Sequence, residues 1–512
     1  MEASVTVDEV SQWQYYNEFN PLYLNYICIL NGYYPVQIDR RFNYCELGCG
    51  VGVTLNGLAE LYPQAKFFGI DSNLNYINSA VALSKGIESS NIDFHCLGYN
   101  ELAKAALPDF DFIILHDVYS WIDEDARSHI QDFIANHLRE GGILYLNYEA
   151  MPGGSVISPL REIVSFHTSG MKADNLIKAQ SGLDYLEFMN TNDASCFINN
   201  PAAKSFFDDI KTKEINYAAH RLLSDYFKPY YFHQIEKEMQ KIGFSFAGSA
   251  ICHLNFIDLA VPLGFQEFLK NVATREHFES HGDLIRNQFL RKDVFVNSRE
   301  LMDEQEQTEV LSSVMFGMTC SEDEFELVVE FENVELNYNV DIFRRLICIL
   351  AKNSNSARNL IENDELKDYS IELVVDALKF LSSSGRILPF SITSDKNDKL
   401  NMEADRYSIS SKSNIQFLKN RLFKQDKITL LGPKVGIGVE FTMSDALFIL
   451  CTAEASRGEV VDWILQRLAE ANQEVLTDGA SEKETMQLGY QEFCKNRLPK
   501  LLQFGVLEAE DN

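Results

Sequence analysis

The stretch FNYCELGCGVG (42–52) runs from a β-rich hexapeptide, FNYCEL (42–47), into glycines at 48, 50 and 52. Glycines directly after a strand let the backbone approach a ligand closely and adopt angles that strain other residues. A dinucleotide fingerprint, G-x-G-x-x-G, needs its third glycine where helix and strand pack. Here that position is Val53, and Gly52 comes one residue early. Glu46 stands two residues before the first glycine, where a carboxylate suits the cationic methionyl end of S-adenosylmethionine, through its amino group or a bridging water. The pattern E-L-G-C-G-x-G therefore favours that cofactor over NAD. Glu46, Gly48, Cys49 and Gly50 are its first expected contacts.

Outward from this loop, β-rich runs alternate with helical stretches. KFFGID (66–71), IDFHCL (92–97), FDFIILHD (110–117) and GGILYLNY (141–148) follow at spacings of about one helix each. That rhythm predicts βαβ units and a parallel sheet, and the continuous apolar character of FIILH predicts a strand buried on both faces. The fold class expected is α/β, a Rossmann-like domain with its N-terminal segment over 1–154. Asp71 ends the second strand, where a carboxylate accepts from ribose hydroxyls; the simpler alternative is a cap on the next helix. Ser72 beside it joins the expected cofactor contacts. After the third strand many such sites carry an Asp for the adenine amino group. Here Gly98 takes the place, leaving Tyr99 to cover the ring and Asn100 to accept, or else backbone and apolar contacts alone.

Residues 155–242 read as a helical insertion, with apolar residues three and four apart in LREIVSFH and IEKEMQKI. GFSFAGSA and DVFVNS within 243–298 read as the last strands of the same sheet. Beyond lie a middle α+β segment (299–393) and a helix-rich C-terminal one (394–512). EDEFELVVEFENVELNYNV (322–340) predicts a hairpin, and SDKNDKLNMEAD (394–405) has linker composition. Both segments close on a helix, a glycine and a short apolar run, the layout of two winged-helix-like modules or simply a shared helical ending.

The chain has 75 acidic and 45 basic residues among 512, a net charge of −30. Such a surface opposes broad neutralisation of phosphates, so no nucleic-acid partner is expected. It suits a basic acceptor such as a lysine-bearing protein, although solubility is the simpler reason for it. No apolar run is long enough for a membrane span, and MEASVTVDEV lacks the features of a signal peptide, so a cytoplasmic location is expected. Ten cysteines without a CxxC pair read as reduced thiols, and no metal site is expected. A homo-oligomer is left open.

HDVYSW (116–121) and NYEAMPGG (147–154) bring in a resemblance. The chain resembles bacterial class I methyltransferases that carry a methyltransferase regulatory domain, a group that includes lysine methyltransferases of outer-membrane proteins. FDFIILHDVYSW (110–121) matches the family pattern FDxIxxHGVYSW except at Asp117, where the family has glycine. LREIVSFHT (160–168), KAQSGLDYLEF (178–188), AAHRLLSDYFKPYYFHQIEKEMQKIGFSFAGSA (218–250) and RKDVFVNS (291–298) are similar to later family segments, and LFILCTAEASRGEVVDWIL (447–465) more loosely. QYYNEFNP (14–21) is similar to a region that helps to cover cofactor and acceptor in such enzymes, which makes Tyr16 an expected substrate contact.

The resemblance implies methyl transfer from S-adenosylmethionine, with lysine side chains as acceptor. His116, Tyr119 and Trp121 follow a strand's carboxyl end, the ligand-binding edge of an open α/β sheet. Tyr148 and Glu149 end the fifth strand. The expected catalytic set is His116, Tyr119 and Tyr148, with His116 also a cofactor contact. Trp121 and Glu149 join Tyr16 as substrate contacts. Each has a plainer reading as packing or a loop-solvating group, and for His220 and Tyr226 packing or capping is preferred. Two alternatives stay open: a methyltransferase for a small molecule or glycan, and an interaction protein on a weakened methyltransferase fold, to which Gly98 and Asp117 would point.

Overall fold

The sheet places the glycine loop at its centre. The computed structural model describes residues 13–331, 334–391, 401–424, 426–473, 475 and 481–510. Seven strands, β1 (Asn43–Leu47), β2 (Lys66–Asp71), β3 (Ile92–Cys96), β4 (Phe110–Leu115), β5 (Leu138–Glu149), β6 (Phe244–Ser249) and β7 (Leu290–Asn297), lie in the order β3-β2-β1-β4-β5-β7-β6. The neighbours β3, β2, β1, β4 and β5 pair in parallel. β7 runs antiparallel between β5 and β6. Chain order reverses between β1 and β4, so the crevice at their carboxyl ends is where such a sheet takes its ligand. This is a Rossmann-like class I methyltransferase fold.

Local chemistry sets the helices. Asn20 caps α1 (Pro21–Leu30) by accepting from Leu22 N–H, and Pro21 sits at the first turn, where its missing N–H costs nothing. α2 (Val53–Leu61) starts directly from the left-handed Gly52, and α3 (Leu74–Ile87) is capped by Asn73. Asp123 caps α4 (Glu124–His137). The insertion supplies α5 (Ile157–Thr168), α6 (Asn175–Thr191), α7 (Ser195–Ile198), α8 (Pro201–Ile210) and α9 (Ile215–Leu223), which gather around their own apolar cluster. α10 (Phe232–Lys241), although inside the stretch read as insertion, packs instead on the sheet through Phe232, Ile235 and Met239.

The period-two alternation of the strands decides what each face meets. Phe110, Ile113 and Leu115 of β4, with Leu144, Leu146 and Tyr148 of β5, face α4 and α10. Tyr44, Phe112, Ile114, Ile143 and Tyr145 point the other way. That second face is continuous with the apolar core of the last 210 residues or so, which the sequence suggests as separate segments. Tyr26 on α1 bonds Ser382 at 2.6 Å. Glu60 on α2 accepts from Ser411 Oγ and from the N–H groups of Lys412 and Ser413, capping the helix Lys412–Arg421 from another part of the chain.

The C-terminal half shows the repeated ending. The helix Ile371–Ser382 turns at Gly385 (φ +68°) into Ile387–Pro389, which pairs antiparallel with Met315–Met318. The helix Leu498–Phe504 turns at Gly505 (φ +72°) into Leu507–Ala509, which pairs with Tyr407–Ile409. In each case the last strand returns to one that precedes the helices. Val328–Phe331 and Val334–Asn337 form the expected hairpin. Residues 1–12 and most of the polar stretch 394–405 lie outside the described residues. All ten cysteines are unpaired, and among the described residues no helix is long and apolar enough to cross a membrane and no group of side chains is suited to hold a metal.

Candidate active site

The loop after β1 is built from left-handed backbone: Gly48, Gly50 and Gly52 have φ of +78°, +53° and +65°. A Cβ at Gly48 would also lie 2.4 Å from Val118 Cγ2, so no other residue fits there. Asp71 is tied to this loop rather than to a helix cap. Its Oδ2 accepts from Gly50 N–H at 3.0 Å and its Oδ1 from Asn73 N–H at 2.8 Å, while Asn73 itself caps α3. Cys49 is buried. Tyr99 lies over the loop, its hydroxyl 3.6 Å from where a Gly48 Cβ would stand. Asn100 is exposed and turned back toward Gly98, and Ser72 is exposed beside Asp71.

Glu46 is the most informative group in this half. Alternation along β1 sets it on the face of Tyr44, and it is buried at the carboxyl edge with Oε2 lacking any hydrogen-bond partner. Burial, then repulsion from Asp71, pushes its carboxyl up to about 8. A buried carboxylate in that condition needs a cation or a donor. With Asp71 beside it and a backbone cradle between them, the residues fit S-adenosylmethionine, which brings an amino group, a sulfonium and ribose hydroxyls.

The other half lies at the ends of β4 and β5. The His116 ring packs against Tyr16 (centroids 4.6 Å apart) and Phe19 (4.9 Å), with Nδ1 3.3 Å from the Tyr145 hydroxyl. Burial lowers its pKa, outweighing Asp117 and Glu18, so the imidazole is neutral near pH 7. Asp117 sits in the left-handed region (φ +56°), which accounts for the glycine in the resembled family's pattern. Asp117 N–H donates to Asn147 Oδ1 at 2.5 Å, and its Oδ1 accepts from Trp121 Nε1 and Arg221, each at 3.1 Å. Arg221 also lies 2.5 Å from Glu149 Oε1 and covers the Trp121 ring at 4.6 Å. Burial opposes ionisation of Asp117, but Arg221, His220 and His116 together hold it below the ordinary carboxylate range. Glu149 is pushed up by burial to about 7 despite Arg221.

Arg221 and Tyr217, one turn apart on α9, reach this edge from the insertion, and the guanidinium lies 5.6 Å over the tyrosine ring. Neither was among the expected site residues; the family-like AAHRLLSDYF segment was the signal that contained Arg221. Glu18, paired with Lys292 at 2.5 Å, also lies close enough to act on His116.

Two of the expected catalytic residues lie on the face of the sheet covered by α4 and α10. Tyr119 is fully buried against α4 and α10, bonding Glu238 at 2.5 Å and accepting from Gln131 at 2.7 Å. Tyr148 faces the same side and donates to Asp293 at 2.7 Å, inside a buried network in which Arg291 holds Asp283, Asp293 and Glu279. Their hydroxyls turn away from His116 and Glu46. Tyr119→Phe and Tyr148→Phe are therefore expected to destabilise by about 1–2 kcal/mol each and to leave S-adenosylmethionine affinity unchanged, as thermal unfolding and calorimetry would show. Trp121 is buried between Arg221, His220 and Phe227, so it backs Asp117 rather than lining an open channel. Tyr226 is exposed.

Comparison with known proteins agrees with this fold. Residues 45–144 match the model of a methyltransferase domain, and residues 214–297 match that of a predicted methyltransferase regulatory domain. An uncharacterized protein of Synechocystis is 27% identical over 502 residues, 96% of this chain and 97% of that one. An uncharacterized protein of Rickettsia prowazekii is 28% identical over 227 residues, 44% of this chain and 89% of that one. The structure of PKMT2 from Rickettsia typhi in complex with AdoHcy superposes with a TM-score of 0.74 at 17% identity, over 98% of this chain and 100% of that one. The regulatory-domain match begins at α9, the helix that brings Arg221 to the catalytic edge. The chain is an S-adenosylmethionine-dependent methyltransferase of class I fold, whose residues 214–297 match a predicted methyltransferase regulatory domain.

Proposed function

We propose that this methyltransferase acts on lysine side chains of a protein. The observation that carries the reading is Asp117. Its carboxylate is ionised, its side chain is 37% exposed, and among the described residues Oδ1 is the oxygen engaged, by Arg221 and Trp121. Oδ2 is left to receive a cationic group at the mouth of a site walled by Tyr16 and neutral His116. The sequence resemblance to a group that includes lysine methyltransferases supports the same acceptor, although that group has glycine where this chain places Asp117.

In this reading Glu46 takes the methionyl amino group, Asp71 the ribose hydroxyls, and Tyr99 covers the adenine above the glycine loop. S-adenosylmethionine supplies a methyl group on a cationic sulfur. The acceptor ammonium would dock on Asp117 and would have to lose a proton before its nitrogen could take the methyl group that bound S-adenosylmethionine would supply. Desolvation beside Tyr16 and Phe19 lowers the amine's pKa against the opposing pull of Asp117, and neutral His116 would accept the proton. Alignment for in-line displacement then does most of the catalysis.

The test is incubation of the full-length chain with S-adenosylmethionine and outer-membrane protein fractions, followed by peptide mass spectrometry. One or more added methyl groups on lysine are expected. Methylation confined to carboxylates, hydroxyls or a small molecule would overturn the acceptor and leave the donor half standing.

A further inference from the structure

Residues 15–20 form a strap across the carboxyl edge of the sheet, and what holds it comes from the far end of the chain. Asn17 makes a reciprocal pair with Gly438: its Nδ2 donates to the Gly438 carbonyl at 2.7 Å, and Gly438 N–H donates to its Oδ1 at 2.8 Å. Asn20 Nδ2 donates to the Gly436 carbonyl at 2.6 Å. Both glycines belong to the hairpin of Lys427–Gly432 and Ile437–Thr442, or to its turn. The buried Tyr15 ring lies between this hairpin and α2. A Cβ at Gly438 would stand 2.6 Å from it and one at Gly57 2.9 Å, so both surfaces are cut back to admit the ring. Trp13 stacks under Arg421 at 4.8 Å, a further tie to the C-terminal part.

The strap carries two groups into the active site. Tyr16 lies on His116, and its hydroxyl feels Asp117, Glu18, Tyr217 and Glu46, so it stands between the donor and acceptor halves. Glu18 reaches Lys292 on β7. The methyltransferase domain holds the strap as well, through Tyr16 N–H donating to Thr54 Oγ1 at 3.1 Å, the Tyr44 hydroxyl donating to the Phe19 carbonyl at 2.9 Å and the Tyr62 hydroxyl donating to Asn20 Oδ1 at 2.6 Å.

We infer that the C-terminal hairpin is a working part of the methyl-donor site. By gripping Asn17 and Asn20 it keeps the strap, and with it Tyr16, closed over the cofactor, so Asn17 is a positioning residue for a reaction it does not touch. This gives the C-terminal segment a role in donor retention, and any ligand that shifts the hairpin would change donor affinity. The inference rests on the cofactor placement proposed above.

Calorimetry with S-adenosylmethionine and stopped-flow release of S-adenosylhomocysteine, both on the full-length chain, test it. Asn17→Ala should weaken binding about tenfold, with the loss in the dissociation rate. Asn17→Asp keeps the acceptor for Gly438 N–H but sets a carboxylate against its carbonyl, and should show the same direction. Gly438→Ala, whose Cβ would press on the Tyr15 ring from the hairpin side, should do so as well and keeps the test alive if Asn17 variants fail to fold. Lys427→Ala, which removes only the exposed pair with Glu440 on the same hairpin, should change nothing. A lowered unfolding midpoint with affinity and release rate within about twofold of the unmodified chain would reduce the clamp to a structural contact and overturn the inference. Binding that survives Asp71→Ala would overturn the cofactor placement instead.

Discussion

Asp71→Ala is expected to weaken S-adenosylmethionine binding about a hundredfold, because it removes a carboxylate that would accept two charge-assisted bonds from the ribose. It also frees Gly50 N–H, which Asp71 holds at 3.0 Å. Asp71→Asn keeps an acceptor for the loop and should recover part of the loss, separating the two contributions. Glu46 provides the companion measurement. Its folded-state value of about 8 is raised from 4.5, so the folded chain holds a proton that the unfolded chain releases between those values. Unliganded stability from this group is therefore present below about pH 4.5 and is lost as pH rises toward 8. A cationic ligand favours the ionised carboxylate, so binding near pH 7 should expel a proton, and affinity should rise with pH up to about 8. Calorimetry in buffers of different ionisation enthalpy reads that proton directly. It should vanish in Glu46→Gln, together with roughly tenfold of the affinity. Proton release that persists in Glu46→Gln would move the cationic contact elsewhere.

Arg221→Ala should be the most damaging change on the acceptor side. Arg221 is itself buried and joins two carboxylates, Asp117 and the buried Glu149. Removing it leaves two acids without their counter-charge, at a cost of about 3–5 kcal/mol for a buried pair broken on one side. Denaturant unfolding at pH 7 should show that loss, and lower pH should relieve part of it by protonating Glu149. Turnover should fall with stability, since Asp117 and the indole of Trp121 both lose the guanidinium that fixes them. Arg221→Lys is not expected to rescue either, because a point charge cannot span both acids while lying on the ring. Unchanged unfolding in Arg221→Ala would show that α9 is not anchored through this contact.

The donor half was legible because its signals are local. A strand, three glycines, Glu46 and Asp71 lie within thirty residues or so, and strand periodicity places them at one edge without knowledge of anything distant. The acceptor half was less so. Tyr148 and Glu149 are neighbours in sequence yet face opposite sides of β5, and only the register of the sheet says which one meets the site. Tyr119 was misplaced for the same reason: a residue after a strand's carboxyl end can turn under the sheet as readily as over it. Arg221 and Tyr217 were missed as site residues because a helix in an insertion carries no mark of where it docks. The apolar continuity between the sheet and the C-terminal half was equally hidden, since amphipathic patterning reports that a face is covered but not by what.

The pairing of Asn17 with Gly438 spans 421 residues of sequence. On the ribosome, where chains emerge N-terminal end first, the sheet, the glycine loop and Asp71 are all available long before the hairpin that grips the strap has been translated. A nascent chain therefore carries a donor pocket with its cover unlatched from the completion of the sheet at Asn297 until the hairpin strand Ile437–Thr442 has emerged. With the clamp inferred above, tight retention of the cofactor becomes a property of the chain extended past the hairpin.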